Sequence, residues 1–274
     1  MRLRNAVEVR REREREFHNK PVDDRWRRVE KFYDLTESSH ALYHGLILER
    51  CQGKRVLEYG CGEGSSAFLL AEHGAAVTGI DISDVRIEHA REQAEELGAP
   101  TMSFEVMDAE ALAFRDSSFE LICGTSIIHH LDLARAFSEL RRVLTADGVG
   151  IFLEPLGHNP LINFYRARTP DLRTPDEHPL LMRDLELAGR YFGRVEASFF
   201  HLASLAAVGF RKTRAFPFVR GRLEALDRQL FALAPPLRRY AWVAVLQFGD
   251  PIQTTENSDG PGESSTPRSL GAPA

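Results

Sequence analysis

The sequence predicts a doubly wound α/β fold, a mostly parallel seven-stranded sheet with an antiparallel last strand, plus helical lid segments. Three observations lead there. Short apolar runs alternate with amphipathic helical stretches between residues 55 and 154. The first run ends in a glycine-rich turn, and two further strand-like runs follow a long irregular stretch.

Taken in order, the first thirty residues alternate Arg and Glu, with Glu8 and Glu12 set against Arg11 and Arg15 at helical spacing. They read as a solvated helix, ending in a mixed segment (Glu16 to Asn19) that can lie over a pocket. Residues 55–59 form the first strand. Residues 65–73 form a helix closed by Gly74, a suitable residue just past a helix end. Residues 76–81 form the second strand. Val85, Ile87, Ala90, Ala94 and Leu97 line one face of the next helix, which stops at Gly98. Strands follow at 102–106 and 119–123, then a helix over 133–144 and a fifth strand at 149–154. Residues 194–201 and 240–248 read as the last two strands. The insert between them carries a helix over 222–233 and a Pro235-Pro236 break. The organisation expected is a helical lid (1–50), a main domain (51–250) with a lid insert at about 156–239, and a disordered tail (251–274) poor in large apolar residues.

Composition narrows the functional classes. A hydrophobic share of 43% with 27% charged residues suits one soluble domain, and no run approaches the ~20 apolar residues that span a bilayer. The charged N-terminus lacks a secretion-signal core, and the three scattered cysteines fit a reducing compartment, so a cytoplasmic location is expected. A net charge of −5 gives no reason to expect nucleic acid. Oligomeric state, monomer or homodimer, is not written in the sequence.

The most informative segment is Val56-Leu57-Glu58-Tyr59-Gly60-Cys61-Gly62-Glu63-Gly64, a strand running into a GxGxG turn before a helix. Such glycines let the backbone approach a ligand at the positively polarised start of a helix. A dinucleotide fingerprint would place a third glycine where Ser65 stands, and its pyrophosphate would be repelled by Glu58 and Glu63. A nicotinamide-dependent oxidoreductase is therefore the weaker enzymatic reading. A non-catalytic nucleoside-binding subunit is the non-enzymatic one. Asp81, ending strand two beside Ile82, can accept from both hydroxyls of a ribose or can help to cap the next helix. Asp108, just past strand three and before Ala109, can accept from an adenine amine or be an ordinary loop acid.

These residues resemble the class I S-adenosylmethionine-dependent methyltransferases, a Rossmann-like family, through VLEYGCGEG, VTGIDIS, VMDAEAL, ELICGTSIIHHL and RRVLTADGVGIFLEP over residues 54–155. The resemblance implies S-adenosylmethionine as cofactor, with S-adenosylhomocysteine as product. Glu58, Gly60, Cys61, Gly62, Gly64 and Thr125 would lie near its methionine part, Asp81 and Ile82 at the ribose, and Asp108 and Ala109 at adenine. It also implies antiparallel sixth and seventh strands and a small, hydrophobic acceptor, methylated at oxygen in preference to nitrogen or carbon.

His129 and His130 follow strand four, where a methyl acceptor would sit. An imidazole is a suitable base for a hydroxyl, with His129 expected toward the pocket and His130 structural. His158, after Glu154-Pro-Leu-Gly, is a further candidate, and residues 173–179 offer His178 and two acids between prolines. No metal is expected. The stretch after strand four has no carboxylate for magnesium, and the trio His158, His178 and Glu154 lacks ligand spacing. Between residues 211 and 239, eight Lys/Arg stand against two acids, interleaved with Phe216, Phe218 and Phe231, Phe210 lying just before. This basic insert reads as a lid over an apolar or anionic acceptor, as an amphipathic cover, or as a weak membrane-surface contact through 210–239.

Overall fold

A computed structural model describes residues 2–20, 34–99 and 101–253. Helix α1 (Arg2–His18) and helix α2 (Glu37–Cys51) precede the sheet. The alternating region then runs β1 (Arg55–Tyr59), α3 (Ser65–Glu72), β2 (Ala76–Asp81), α4 (Asp84–Glu96), β3 (Met102–Val106), β4 (Phe119–Thr125), α5 (Leu133–Val143) and β5 (Leu144–Pro155). Beyond it come α6 (Pro160–Ala167), α7 (Met182–Ala188), β6 (Phe192–Phe200), α8 (Phe216–Leu233) and β7 (Val243–Pro251), joined by short 3₁₀ turns.

The seven strands stand in the order β3-β2-β1-β4-β5-β7-β6. β1 to β5 pair in parallel, and β7 runs antiparallel to both β5 and β6. Only the last strand is therefore reversed, and β6 points the same way as β1 to β5, a correction to the expected pair of reversed strands. The order reverses at β1 and β4. Helices leave to opposite sides there, and a crevice opens beyond the carboxyl ends of those two strands.

The pleat of each strand sends alternate side chains to two apolar layers. Leu57 and Tyr59 join Phe137, Phe152, Phe192 and Phe248 on one face. Val56 joins Tyr43, Ile47, Leu70, Ile87 and Phe104 on the other. Burying such side chains stabilises by roughly 1.5–3 kcal/mol each. Tyr43, Ile47 and Cys51 bury α2 against the sheet, so this helix is core and not lid. Its apolar spacing was masked by three histidine and tyrosine side chains (His40, Tyr43, His44) that read as polar in the sequence.

The insert also resolves differently. α8 begins at Phe216, six residues before the expected start, because Pro217 sits in the first turn, where its missing N–H costs nothing. Asp227 is turned inward, accepting from the amides of Leu202, Ala203 and Ser204 and from the Ser204 hydroxyl. Arg220 pairs with Glu37, and Arg211 with Asp34. Phe231 is buried while Phe218 stays exposed. These contacts make α8 an amphipathic cover over residues 34–37. No helix among the described residues is long and apolar enough to cross a membrane. The expected disorder of the tail falls on residues 254–274, outside those described; Pro251 closes β7.

Candidate active site

The glycine turn after β1 is shaped by three left-handed glycines, Gly60 (φ 71°), Gly62 (φ 54°) and Gly64 (φ 84°). At Gly60 a side chain is excluded twice over, because a Cβ would also meet the Ile127 side chain at 2.7 Å. The turn is pinned from two sides. The Gly62 amide donates to Asp81 Oδ2 at 2.8 Å, and the Ser83 amide to Oδ1 at 2.8 Å. Ser83, not Asp81, caps α4. Behind the turn, Glu58 Oε2 accepts from the Ala67 amide at the start of α3 at 2.8 Å. Burial pushes its carboxyl up to about 7. The Cys61 amide donates to the Ile80 carbonyl, and burial pushes its thiol up.

A cavity of about 470 Å³ lies over this turn. Gly60, Asp81, Ile82, Asp108, Ala109, Thr125, His129 and His130 line it. Glu58, Cys61, Gly62, Gly64 and His158 do not: the first four shape the turn, and His158 Nε2 accepts from the Met182 amide at 3.3 Å. His178 also lies outside the lining, with its backbone amide bonded to the His129 carbonyl.

α1 covers the cavity, contributing Arg10, Arg11, Glu14, Phe17 and His18 to its wall. Arg11 pairs with Asp108, and Arg10 with Glu110 and the His130 carbonyl. Arg13 reaches Asp176 at 2.7 Å, and Asn19 takes the Ser83 hydroxyl at 2.6 Å. The expectation of a helix solvated all round is corrected: its arginines hold acids of the main domain. A charge-alternating sequence supports either outcome, and only the Phe17-His18 segment signalled a covered pocket. Asp108 accordingly shares its carboxylate with Arg11, besides accepting from the Glu110 amide.

The far end of the cavity is polar on a rigid base. Ser126, in a left-handed conformation (φ 54°), turns the chain so that Glu154 Oε1 accepts the amides of Ile127 and Ile128 at 2.9 and 2.8 Å. Its Oε2 takes His129 Nδ1 at 2.7 Å. His129 Nε2 lies 3.6 Å from Glu177 Oε1, which Arg166 binds at 2.6 Å. Burial opposes charge at His129, but the two carboxylates outweigh it and raise the imidazole to about 9. Glu177 is held at about 2 against its own burial by His129 and Arg166. His130, 12% exposed at its side chain, is lowered by burial. Both histidines therefore face the cavity, contrary to the expected division, and His129 is the more tightly held. Tyr165, Arg166 and Trp242 also line the cavity and carried no motif in the sequence, whereas Arg173 and Glu177 come from the polar segment 173–179.

A Rossmann-like sheet with a glycine turn facing an acid on the neighbouring strand defines an α/β domain with a cavity at its strand ends. Residues 56–148 match the family described as "Methyltransferase domain". The chain is 36% identical over 143 residues to aklanonic acid methyltransferase DauC of Streptomyces sp. (strain C5), covering 51% of this chain and 61% of that one. It is 34% identical over 184 residues to a malonyl-[acyl-carrier protein] O-methyltransferase of Geobacter sulfurreducens, covering 62% and 61%. The match thus spans less than two thirds of either relative. The solved structure of the YcgJ protein of Bacillus subtilis shares the fold, with a TM-score of 0.53 at 20% identity over 76% of this chain and 97% of that one. Residues 56–148 thus match a methyltransferase-domain family, and the curated relatives named above are methyltransferases.

Proposed function

We propose that this protein transfers a methyl group from S-adenosylmethionine to an oxygen of a small, partly apolar acid, a carboxylate or an acidic hydroxyl. One observation carries the acceptor class: Arg166 and Arg173 together face a single carboxylate, Glu177, at 2.6 and 3.8 Å. Burial and the neighbouring Arg166 act against the charge of Arg173 and outweigh the support of Glu177 and Asp171, leaving a guanidinium that a further anion would stabilise. Its remaining bonds go to the Thr169 and Arg166 carbonyls and the Thr169 hydroxyl. An acid entering beside Ile162, Leu172 and Trp242 would supply that missing charge.

The cavity residues fit the cofactor. Each Asp81 oxygen keeps a lone pair beyond its backbone bond, in reach of a ribose hydroxyl, and Ile82, Met107 and Ala109 offer an apolar wall for a purine. When bound, the cofactor supplies an electrophilic methyl on a cationic sulfur that leaves as a neutral thioether. The protein's part is to bind, orient and exclude water. Gly60 admits close backbone approach, α1 covers the site, and the arginines fix the acceptor oxygen in line. A carboxylate needs no base. For an acidic hydroxyl, His129, raised to about 9 with Nδ1 committed to Glu154, offers Nε2–H to the ionised acceptor oxygen. Two relatives are named for acceptors that fit this class, aklanonic acid and malonyl-[acyl-carrier protein], and they support it for this chain.

The test is mass spectrometry with trideuteromethyl cofactor and a panel of aromatic and β-keto acids, each paired with its primary amide. Label in the acids alone supports the proposal. Label in the amides alone, or in neither set while the cofactor binds, contradicts it.

A further inference from the structure

Glu14, His18 and His130 bring one carboxylate oxygen and two imidazole nitrogens within 4.8 Å of one another under the lid. Glu14 Oε2 lies 3.5 Å from His18 Nε2 and 3.2 Å from His130 Nδ1. A tetrahedral zinc ion with bonds of about 2.0–2.1 Å sets its ligand atoms about 3.3 Å apart. We propose that these three residues bind a divalent transition metal of the zinc class, with its remaining position open to the cavity that all three line.

A second observation points the same way. Glu14 Oε2 and His130 Nδ1 are buried and, among the described residues, meet only each other and His18 Nε2, and Glu14 as a whole is only 6% exposed. Three ligand atoms turned toward one buried point would be satisfied together by one cation. The support is in place as well. The Thr174 hydroxyl donates to Glu14 Oε1 at 2.5 Å, fixing the carboxylate with Oε2 turned to the imidazoles. His18 follows Glu14 by one helical turn, so α1 presents both on one face. The adjoining group of His129, His130 and Glu177 is less suited, because Arg166 occupies the Glu177 oxygen and Glu154 holds His129 Nδ1.

Two imidazoles with one carboxylate select zinc, cobalt or nickel over magnesium or calcium. This set differs from the oxygen-only site and from the trio His158, His178 and Glu154 that the sequence disfavours. A bound ion would fasten α1 to the segment after β4. The inference does not depend on the acceptor or on methyl transfer.

The experiment uses the full-length chain without an affinity tag, stripped with chelator and titrated with Zn²⁺ or Co²⁺. One Zn²⁺ per chain and the strong visible bands of four-coordinate Co²⁺ are expected. His18→Ala and Glu14→Gln should each weaken zinc binding more than about tenfold, while His178→Ala leaves it unchanged. Circular dichroism on the same samples reports folding. Absence of stoichiometric zinc in the wild type, a six-coordinate cobalt spectrum, or equal affinity in a folded His18→Ala protein would overturn the proposal. If the variants do not fold, the wild-type stoichiometry and cobalt spectrum decide.

Discussion

The Gly62 amide donates to the Asp81 carboxylate at 2.8 Å, so the residue expected to hold a ribose also holds the glycine turn in shape. One carboxylate thereby couples the ends of β1 and β2. Changes at either residue should act on the loop and on the ligand together.

Gly60→Ala should damage the site more than its size suggests. The left-handed backbone costs a side chain about 1–3 kcal/mol, and Ile127 would have to yield as well. A lower melting temperature together with weaker S-adenosylhomocysteine binding is expected. Calorimetry showing neither would contradict the assigned packing.

α1 should close the occupied site. Hydrogen exchange in residues 7–18 should slow on adding S-adenosylhomocysteine, and an Arg10→Ala, Arg11→Ala double variant should lose that protection and release ligand several-fold faster. Exchange indifferent to ligand would remove α1 from the site.

Arg173→Ala tests acceptor recognition. With an acid found by the labelling panel, KM should rise by about tenfold or more, as for a lost charge-assisted hydrogen bond, with cofactor affinity unchanged. An unchanged KM would place the acid elsewhere.

His201 makes stability depend on pH. It is buried beside Ser39 and Ser204, and burial, with His40 and Arg220, lowers it to about 3. Its folded value lies below the unfolded one of about 6.5, so the unfolded chain takes up the proton first. Its contribution is present above pH 6.5 and is lost as pH falls toward 3. Glu58, raised to about 7, acts in the opposite sense as pH rises. The wild type should therefore be compared with His201→Asn in urea melts. The variant should lose up to one proton's worth of slope, about 1.4 kcal/mol per pH unit, below pH 6.5. Parallel slopes would contradict the assignment.

The strands and the glycine turn with Asp81 were legible because each rests on local rules. The run at Arg55–Tyr59, the glycines after it and Asp81 are fixed within about 25 residues of sequence, and a period of two or 3.6 marks them. The polar far end of the cavity was not legible, because its partners come from afar. Glu14 meets Thr174 across 160 positions, and Arg10 meets Glu110 across 100. His129 stood out as an unusual residue, but Glu154, the group that decides what it does, arrives on another strand. In α1 and α8 the charges looked like solvated faces, and long-range pairing, which no periodicity encodes, turned several inward.

The most direct measurement is calorimetric titration of S-adenosylhomocysteine into the wild type and Asp81→Asn. One site per chain is expected, with affinity reduced at least about tenfold in the variant by loss of charge-assisted bonds to the ribose. No binding by the wild type, or equal binding by a folded Asp81→Asn protein, would contradict the account.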